Sequence, residues 1–219
     1  MDTARIAELL DPFLCAPVAN DPSRSVLSIN QLQLISTYID ILIRWNARIN
    51  LTAIREPDEI VRRHFGESLF AARHLFAVSS SADSIADVGS GSGFPGLPMK
   101  IWAPHVSLTL IESSHKKAAF LREVARALTL TDVNIQNARA ESLTATFNLV
   151  TLRAVERFEA ALAAAAPLVA PQGRLALLIS SPQAPKAHST LPALSWSTPI
   201  PIPESNSRIL LTGTAPANH

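Results

Sequence analysis

Asp87, the glycines Gly89, Gly91, Gly93 and Gly96, and Glu112 form the densest group of ligand-competent residues in the sequence. Four of the chain's seven glycines fall within the eight positions 89–96, and because glycine lets another molecule approach the backbone closely, the cluster reads as a ligand cradle. Glu112 ends a short apolar run, where a carboxylate can accept both hydroxyls of a ribose. Asp87, just ahead of the glycines, can orient the loop or accept from a ligand amine. Phe94 sits inside the loop and either covers a ligand or plugs the core. Ala140 and Glu141 follow a third apolar run and can flank an adenine ring, while Arg153, after a fourth, offers a cation to a carboxylate or phosphate.

Residues this far apart meet only if the elements between them bring them to one edge. From Ser84 onward, short apolar runs alternate with helical spacing. The expected strands are 84–88, 106–112, 133–137, 147–152, 174–179 and 208–212, with helices at 96–102, 115–128 and 158–168. That rhythm predicts an α/β fold with a mostly parallel sheet and helices on both faces, in which ligands bind beyond the carboxyl ends of the strands. Residues 182–203 contain six prolines and read as an extended loop with at most a short strand at 194–196.

The N-terminal part reads differently. A short amphipathic helix at 3–15 and a connector at 16–27 precede a stronger helix, with a capping box from Ser28 and Gln31 and apolar residues at Leu32, Ile35, Ile39 and Leu42. A basic connector, Arg44 to Arg55, leads to a helix opened by Pro57 and running to about Leu75. Ser79 to Ser81 is the best boundary, dividing a helical extension at 1–78, expected to face the substrate, from a ligand-binding domain at 79–219.

Composition narrows the classes. With 47% hydrophobic and 17% charged residues the chain is globular, and a net charge of +1 means that a nucleic acid would have to be held by a local patch. Cys15 is alone, so no internal disulfide framework exists, and the longest apolar run, 160–170, is too short to span a membrane. A cytoplasmic monomer without membrane or metal partners is expected. No H-E-x-x-H, C-x-x-C or G-x-S-x-G motif supports metal or acyl-transfer chemistry.

Two loop readings compete. Gly91 to Gly96 match the dinucleotide fingerprint G-x-G-x-x-G, with Glu112 where a ribose-binding acid is expected, which is the reading of an NAD-dependent oxidoreductase. Asp87 to Gly93 spell D-x-G-x-G-x-G and resemble the first motif of S-adenosylmethionine (SAM) dependent methyltransferases. Outside the loop, Arg44, Arg48, Arg55, Arg62 and Arg63, with His115, Lys116, Lys117, Arg122 and Arg126, can build a basic face, diluted by Glu56, Asp58, Glu59 and Glu123. His64, on a largely apolar helix, reads as a packed or hydrogen-bonded core histidine.

Further residues resemble one methyltransferase family, RsmG (GidB): Trp45-Asn46, Ile49-Asn50-Leu51-Thr52, Arg63-His64, Ser68-Leu69, the loop through Phe94-Pro95-Gly96-Leu97-Pro98, and Arg153-Ala154-Val155. The resemblance implies a Rossmann-like class I methyltransferase fold and SAM as cofactor. It implies SAM contacts at Gly89, Phe94, Ala140, Glu141 and Arg153, to which the loop reading adds Asp87, Gly91, Gly93 and Glu112. The implied reaction is methylation of N7 of the guanine at position 527 of 16S rRNA, in the 530 loop. Guanine N7 carries a lone pair and no proton, so no general base is required; Arg153 is the one candidate for a catalytic role. The RNA or small ribosomal subunit would be met by Arg48, Asn50, Arg62, Arg63, His64, Lys116 and Lys117. A non-catalytic SAM- or nucleotide-binding partner of ribosome assembly and a small-molecule methyltransferase stand as alternatives. After the fifth strand the family usually shows Lys-Gly, where this chain has Ile179-Ser180.

Overall fold

The computed structural model describes residues 1–15, 26–76, 84–154 and 157–217. The sheet has the order β3-β2-β1-β4-β5-β8-β6, with β7 also paired to β8. Its strands are β1 (Ser84–Val88), β2 (Ser107–Ile111), β3 (Val133–Gln136), β4 (Phe147–Arg153), β5 (Val169–Ser180), β6 (Ser195–Trp196), β7 (Ile200–Pro201) and β8 (Arg208–Thr214). The first five run parallel, and β8 returns antiparallel beside β5. Strand order reverses at β1, which has β2 on one side and β4 on the other. In register, Val88 lies opposite both Ile111 and Leu152. Gly89, Glu112 and Arg153 therefore leave three neighbouring strands at one level, the switch point where such sheets bind ligands.

Two apolar layers sandwich the sheet. One contains Val150, Leu162, Leu177 and Leu211 and is covered by α7 (Phe158–Ala165) and α8 (Ala184–Thr190). The other is larger and joins α5 (Gly96–Trp102) and α6 (His115–Ala127) to the N-terminal helices α1 (Thr3–Leu14), α2 (Ile29–Asn46) and α4 (Glu67–Phe76) through Ile6, Tyr38, Phe65, Leu97 and Phe120. The N-terminal helices thus share a core with the sheet domain. The proposed boundary near 79 lies outside the described residues, as do most of the connector at 16–27 and Val155.

The capping box of α2 is formed: Ser28 Oγ accepts from Gln31 N–H, and Gln31 Oε1 accepts from Ser28 N–H at 2.9 Å. Gln31 Nε2 also donates to Ile101 O at 2.9 Å, which ties the cap to the end of α5. From Pro57 the chain is helical to Phe76, but in three pieces: α3 (Pro57–Ile60), a π-helical segment (Val61–Gly66) and α4. At Gly66 a Cβ would come within 2.6 Å of the Phe13 ring, so this glycine lets α1 cross closely.

The tail corrects the sequence expectation. Residues 182–203 are not an extended loop with a single short strand; they hold helix α8 and two short strands, β6 and β7. The prolines misled because Pro185 occupies the first turn of α8, where a missing N–H costs nothing. Strand β5 also begins five residues earlier than its apolar run, at Val169.

Candidate functional site

The loop after β1 is built by backbone bonds that only a short glycine-rich segment can make. Gly89 N–H and Ser90 N–H both donate to Ile111 O, at 2.9 and 3.1 Å, and fold the loop back over the end of β2. Gly93 adopts φ +86, and a Cβ there would lie 2.3 Å from Tyr38 Oη, so both backbone and packing demand glycine. Glu112 holds the loop from the next strand: its Oε2 accepts from Gly91 N–H at 2.9 Å and its Oε1 from Ser114 N–H at 2.7 Å. Asn137 in turn donates to Glu112 O at 2.9 Å.

Asp87 is fully buried beneath the loop. Its Oδ2 accepts from Gly96 N–H at 3.2 Å and its Oδ1 from the Thr151 hydroxyl at 2.9 Å. Burial raises its pKa to about 6, against the opposing pull of these hydrogen bonds and of Arg153. Asp87 thereby braces the loop from inside.

On the other side of the loop, Phe94 is the middle of an aromatic stack. The Tyr38 ring lies parallel to it at 5.3 Å, His64 stacks on it at 4.7 Å, and Phe65 meets it edge-on at 5.1 Å. Tyr38 Oη donates to Ser92 O at 2.5 Å. Helix α2 and the π-helical segment thus grip the loop directly.

His64 is buried and both ring nitrogens are used. A guanidinium can only donate, so the 3.0 Å contact from Arg153 Nη1 makes Nδ1 the acceptor. Nε2 then carries the proton and donates to Thr52 Oγ1 at 2.8 Å. Burial, then Arg153, then Arg63 push the His64 pKa down to about 3, so the ring is neutral at any ordinary pH. Asn46 positions Thr52 by donating to its carbonyl and accepting from its N–H. Arg153 completes the chain: Nη2 donates to Glu67 Oε2 at 3.0 Å and to Arg63 O. Glu67 is itself buried, and its carboxylate also pairs with Arg63 Nε at 3.1 Å and with Arg208 Nε.

A cavity of about 500 Å³ opens beside the loop, between the ends of β1 and β2, the turn at Ala140–Ser142 and α7. Gly89, Glu112, Ala140 and Glu141 line it, together with Arg139 and Arg157 and the apolar side chains of Val88, Ile111 and Ala161. Of the residues picked out in the sequence, these four are brought together on its wall. Asp87, Gly93 and Phe94 are packed inside, and Gly91 meets the cavity through the Glu112 bond; Arg153 is turned into the His64 and Glu67 network. Arg48, Asn50 and Lys116 are exposed, Arg62, Arg63 and Lys117 half-buried, and His64 lies in the core. The sequence reading missed Tyr38, Thr151 and Glu67 as supports. Tyr38 is the chain's single tyrosine, and Arg63 and Glu67 stand at i, i+4 spacing, the two signals that pointed to them. Among the described residues no group of three His, Cys, Asp or Glu is placed to hold a metal ion, and no helix is long and apolar enough to cross a membrane.

The family model GidB, described as rRNA small subunit methyltransferase G, matches residues 31–190. A ribosomal RNA small subunit methyltransferase G from Alkaliphilus metalliredigens is 44% identical over 112 residues, which is 51% of this chain and 46% of that protein. The namesake from Chloroflexus aggregans is 41% identical over 155 residues, 68% of this chain and 64% of that protein. The matched stretch is thus less than two thirds of either relative. Among solved structures, magnesium protoporphyrin IX methyltransferase from Synechocystis PCC 6803, with bound SAM, superposes with a TM-score of 0.62 at 14% identity, over 88% of this chain and 100% of that one.

Proposed function

We propose that this chain, which belongs to the rRNA small subunit methyltransferase G family, methylates N7 of a guanine in 16S rRNA, at position 527 in the 530 loop, with SAM as donor. The observation that carries the donor assignment is the meeting of Gly89, Glu112, Ala140 and Glu141 on one cavity at the switch point. The fit is chemical as well as positional: a carboxylate for the ribose hydroxyls, apolar walls from Val88 and Ile111 for a purine face, and backbone at Gly89 with no side chain to obstruct approach. When bound, SAM supplies a methyl group on a positively charged sulfur, which a neutral nitrogen can attack.

The chain's own residues position rather than exchange protons. Glu112 already accepts two backbone N–H groups, and its remaining lone pairs can accept from ribose. His64, neutral and doubly bonded, holds Arg153 and Phe94 in place instead of acting as a base. That suits guanine N7, which has no proton to remove, so the rate enhancement comes from alignment of nucleophile and methyl. RNA contact falls to the exposed and half-buried basic residues Arg48, Arg62, Arg63, Lys116 and Lys117, with Asn50, and the reaction belongs to the cytoplasm, where ribosomes are assembled.

The test supplies labelled SAM with purified 30S subunits, naked 16S rRNA and a metabolite pool. Label at a single guanine N7 in one RNA sample is expected. SAM binding without label in any RNA would instead leave a non-catalytic assembly partner, and label confined to the metabolite pool a small-molecule enzyme. Binding of NADH in place of SAM would restore the oxidoreductase.

A further inference from the structure

We propose that a second cavity, of about 290 Å³, is a phosphodiester subsite for the acceptor RNA, an inference that rests on the RNA-methylating function above. Arg62 and Arg63 on the π-helical segment and Arg208 at the start of β8 line it, with Asn206 and the carboxylates of Glu59 and Glu204. Arg208 pairs with Ser180, the last residue of β5, so the cavity stands at the carboxyl edge of the sheet. Arg63 O accepts from Arg153, which in turn lies level with Gly89. His64, next to Arg63 in the chain, stacks on Phe94 and so links the cavity to the loop, yet among the described residues the cavity shares no lining residue with the donor cavity.

The guanidinium groups are arranged to receive an anion. Each has a carboxylate at Nε: Arg63 donates to Glu67 at 3.1 Å, while Arg62 forms an ion pair with Glu204 at 3.2 Å and Arg208 an ion pair with Glu67 that is not aligned as a hydrogen bond. Their Nη nitrogens make no hydrogen bond to the described residues. Glu67, buried behind Arg63 and Arg208, serves Arg153 as well, so one carboxylate faces three guanidinium groups; with Arg62, Glu59 and Glu204 included, four arginines meet three carboxylates, an excess of one positive charge. Planar forks with free Nη edges match the bidentate geometry of phosphate oxygens. Glu204 occupies Arg62 from an exposed position on the loop before β8. It is the group that an arriving phosphate would displace, so it sets a threshold against weakly held anions.

The test measures RNA binding and methyl transfer separately, on the full chain, using a 16S rRNA fragment containing the methylated loop, with SAM affinity measured alongside. Arg62→Gln should raise the KM for RNA about tenfold, leave kcat and SAM affinity near wild type, and reduce the slope of log affinity against log salt by about 1. Glu204→Gln should tighten RNA binding several-fold, and inorganic phosphate should compete with RNA for the wild type more strongly than for Arg62→Gln. Arg208→Gln disturbs the buried Glu67 pair and can lose fold, so Arg62 and Glu204, paired near the surface, decide the question. An unchanged KM and salt slope in Arg62→Gln would overturn the subsite, as would a loss of SAM affinity with RNA binding intact, which would give the arginines to the donor's carboxylate. RNA binding that responds to Arg62→Gln without any methyl transfer would support the subsite and sink the transferase function instead. Methyl transfer with an unaltered salt slope would do the reverse.

Discussion

Replacing Tyr38 by Phe removes one oxygen atom and tests whether the N-terminal helices hold the donor loop by a hydrogen bond or only by packing. The ring stays, and with it the parallel contact to Phe94 at 5.3 Å and the edge contact to Phe65 at 5.2 Å. What is lost is the donor to Ser92 O, which accepts no backbone bond outside the regular elements. A buried carbonyl left without a partner costs about 1–3 kcal/mol. Burial holds the Tyr38 phenol well above its ordinary pKa, so the neutral donor is present throughout the working range and the penalty should not depend on pH. Urea titration of Tyr38→Phe should therefore show a loss of about 1–3 kcal/mol with an unchanged slope. Calorimetry should show SAM binding weakened by up to about tenfold, because part of the loop's ordering is then drawn from the binding energy, about 1.4 kcal/mol per decade. A variant with wild-type stability and wild-type SAM affinity would refute the reasoning and leave the loop held by ring stacking alone.

Glu112→Ala should weaken SAM binding by about 1.5–3 kcal/mol through lost charge-assisted bonds; since it also frees Gly91 N–H, Glu112→Gln, which keeps an acceptor, should lose less, and equal losses would put the effect in the loop. Glu67→Gln removes the charge shared by Arg63, Arg153 and Arg208 and should cost about 3 kcal/mol or more of stability; a loss under about 1 kcal/mol in urea melts would show that the cluster is water-relaxed. The pH dependence carries a sign. His64 is depressed from 6.5 to about 3, so the unfolded chain takes up a proton that the folded one refuses, and stability present above the unfolded value is lost as pH falls from 6.5 toward 3. Asp87, raised from 3.8 to about 6, acts oppositely: its contribution is fully present below 3.8 and is lost as pH rises through 6. His64→Gln should therefore abolish about 2 kcal/mol of the destabilisation between pH 7 and pH 5, measured as the change in unfolding free energy relative to wild type. An identical pH dependence in the two proteins would mean that the ring is charged when folded.

The parallel strands were legible because strands buried on both faces must be continuous apolar runs, and β1 and α5 fall at their expected bounds. The loop was legible as a loop, but its composition did not separate residues that face a ligand from residues that face the core. Gly93 is glycine because Tyr38, contributed by a helix far earlier in the chain, fills the space where a Cβ would go. Phe94 is aromatic because Tyr38 and His64 stack on it, and Asp87 is acidic because Gly96 and Thr151 need an acceptor. For Asp87 and Phe94 the sequence leaves a ligand role and a packing role open, and packing within the loop, the sheet and the N-terminal helices accounts for all three residue types. Their reasons lie at separations that periodicity cannot reach. The same holds for Arg153: placed at a strand end it reads as a cation offered to the site, yet the buried Glu67 on a helix claims it first. The N-terminal helices are thus part of the loop's foundation, since Tyr38, Thr52, His64 and Glu67 together fix Phe94 and Arg153. A segment that both grips the loop and lines the second cavity with Arg62 and Arg63 is placed to make the geometries of the two cavities depend on one another.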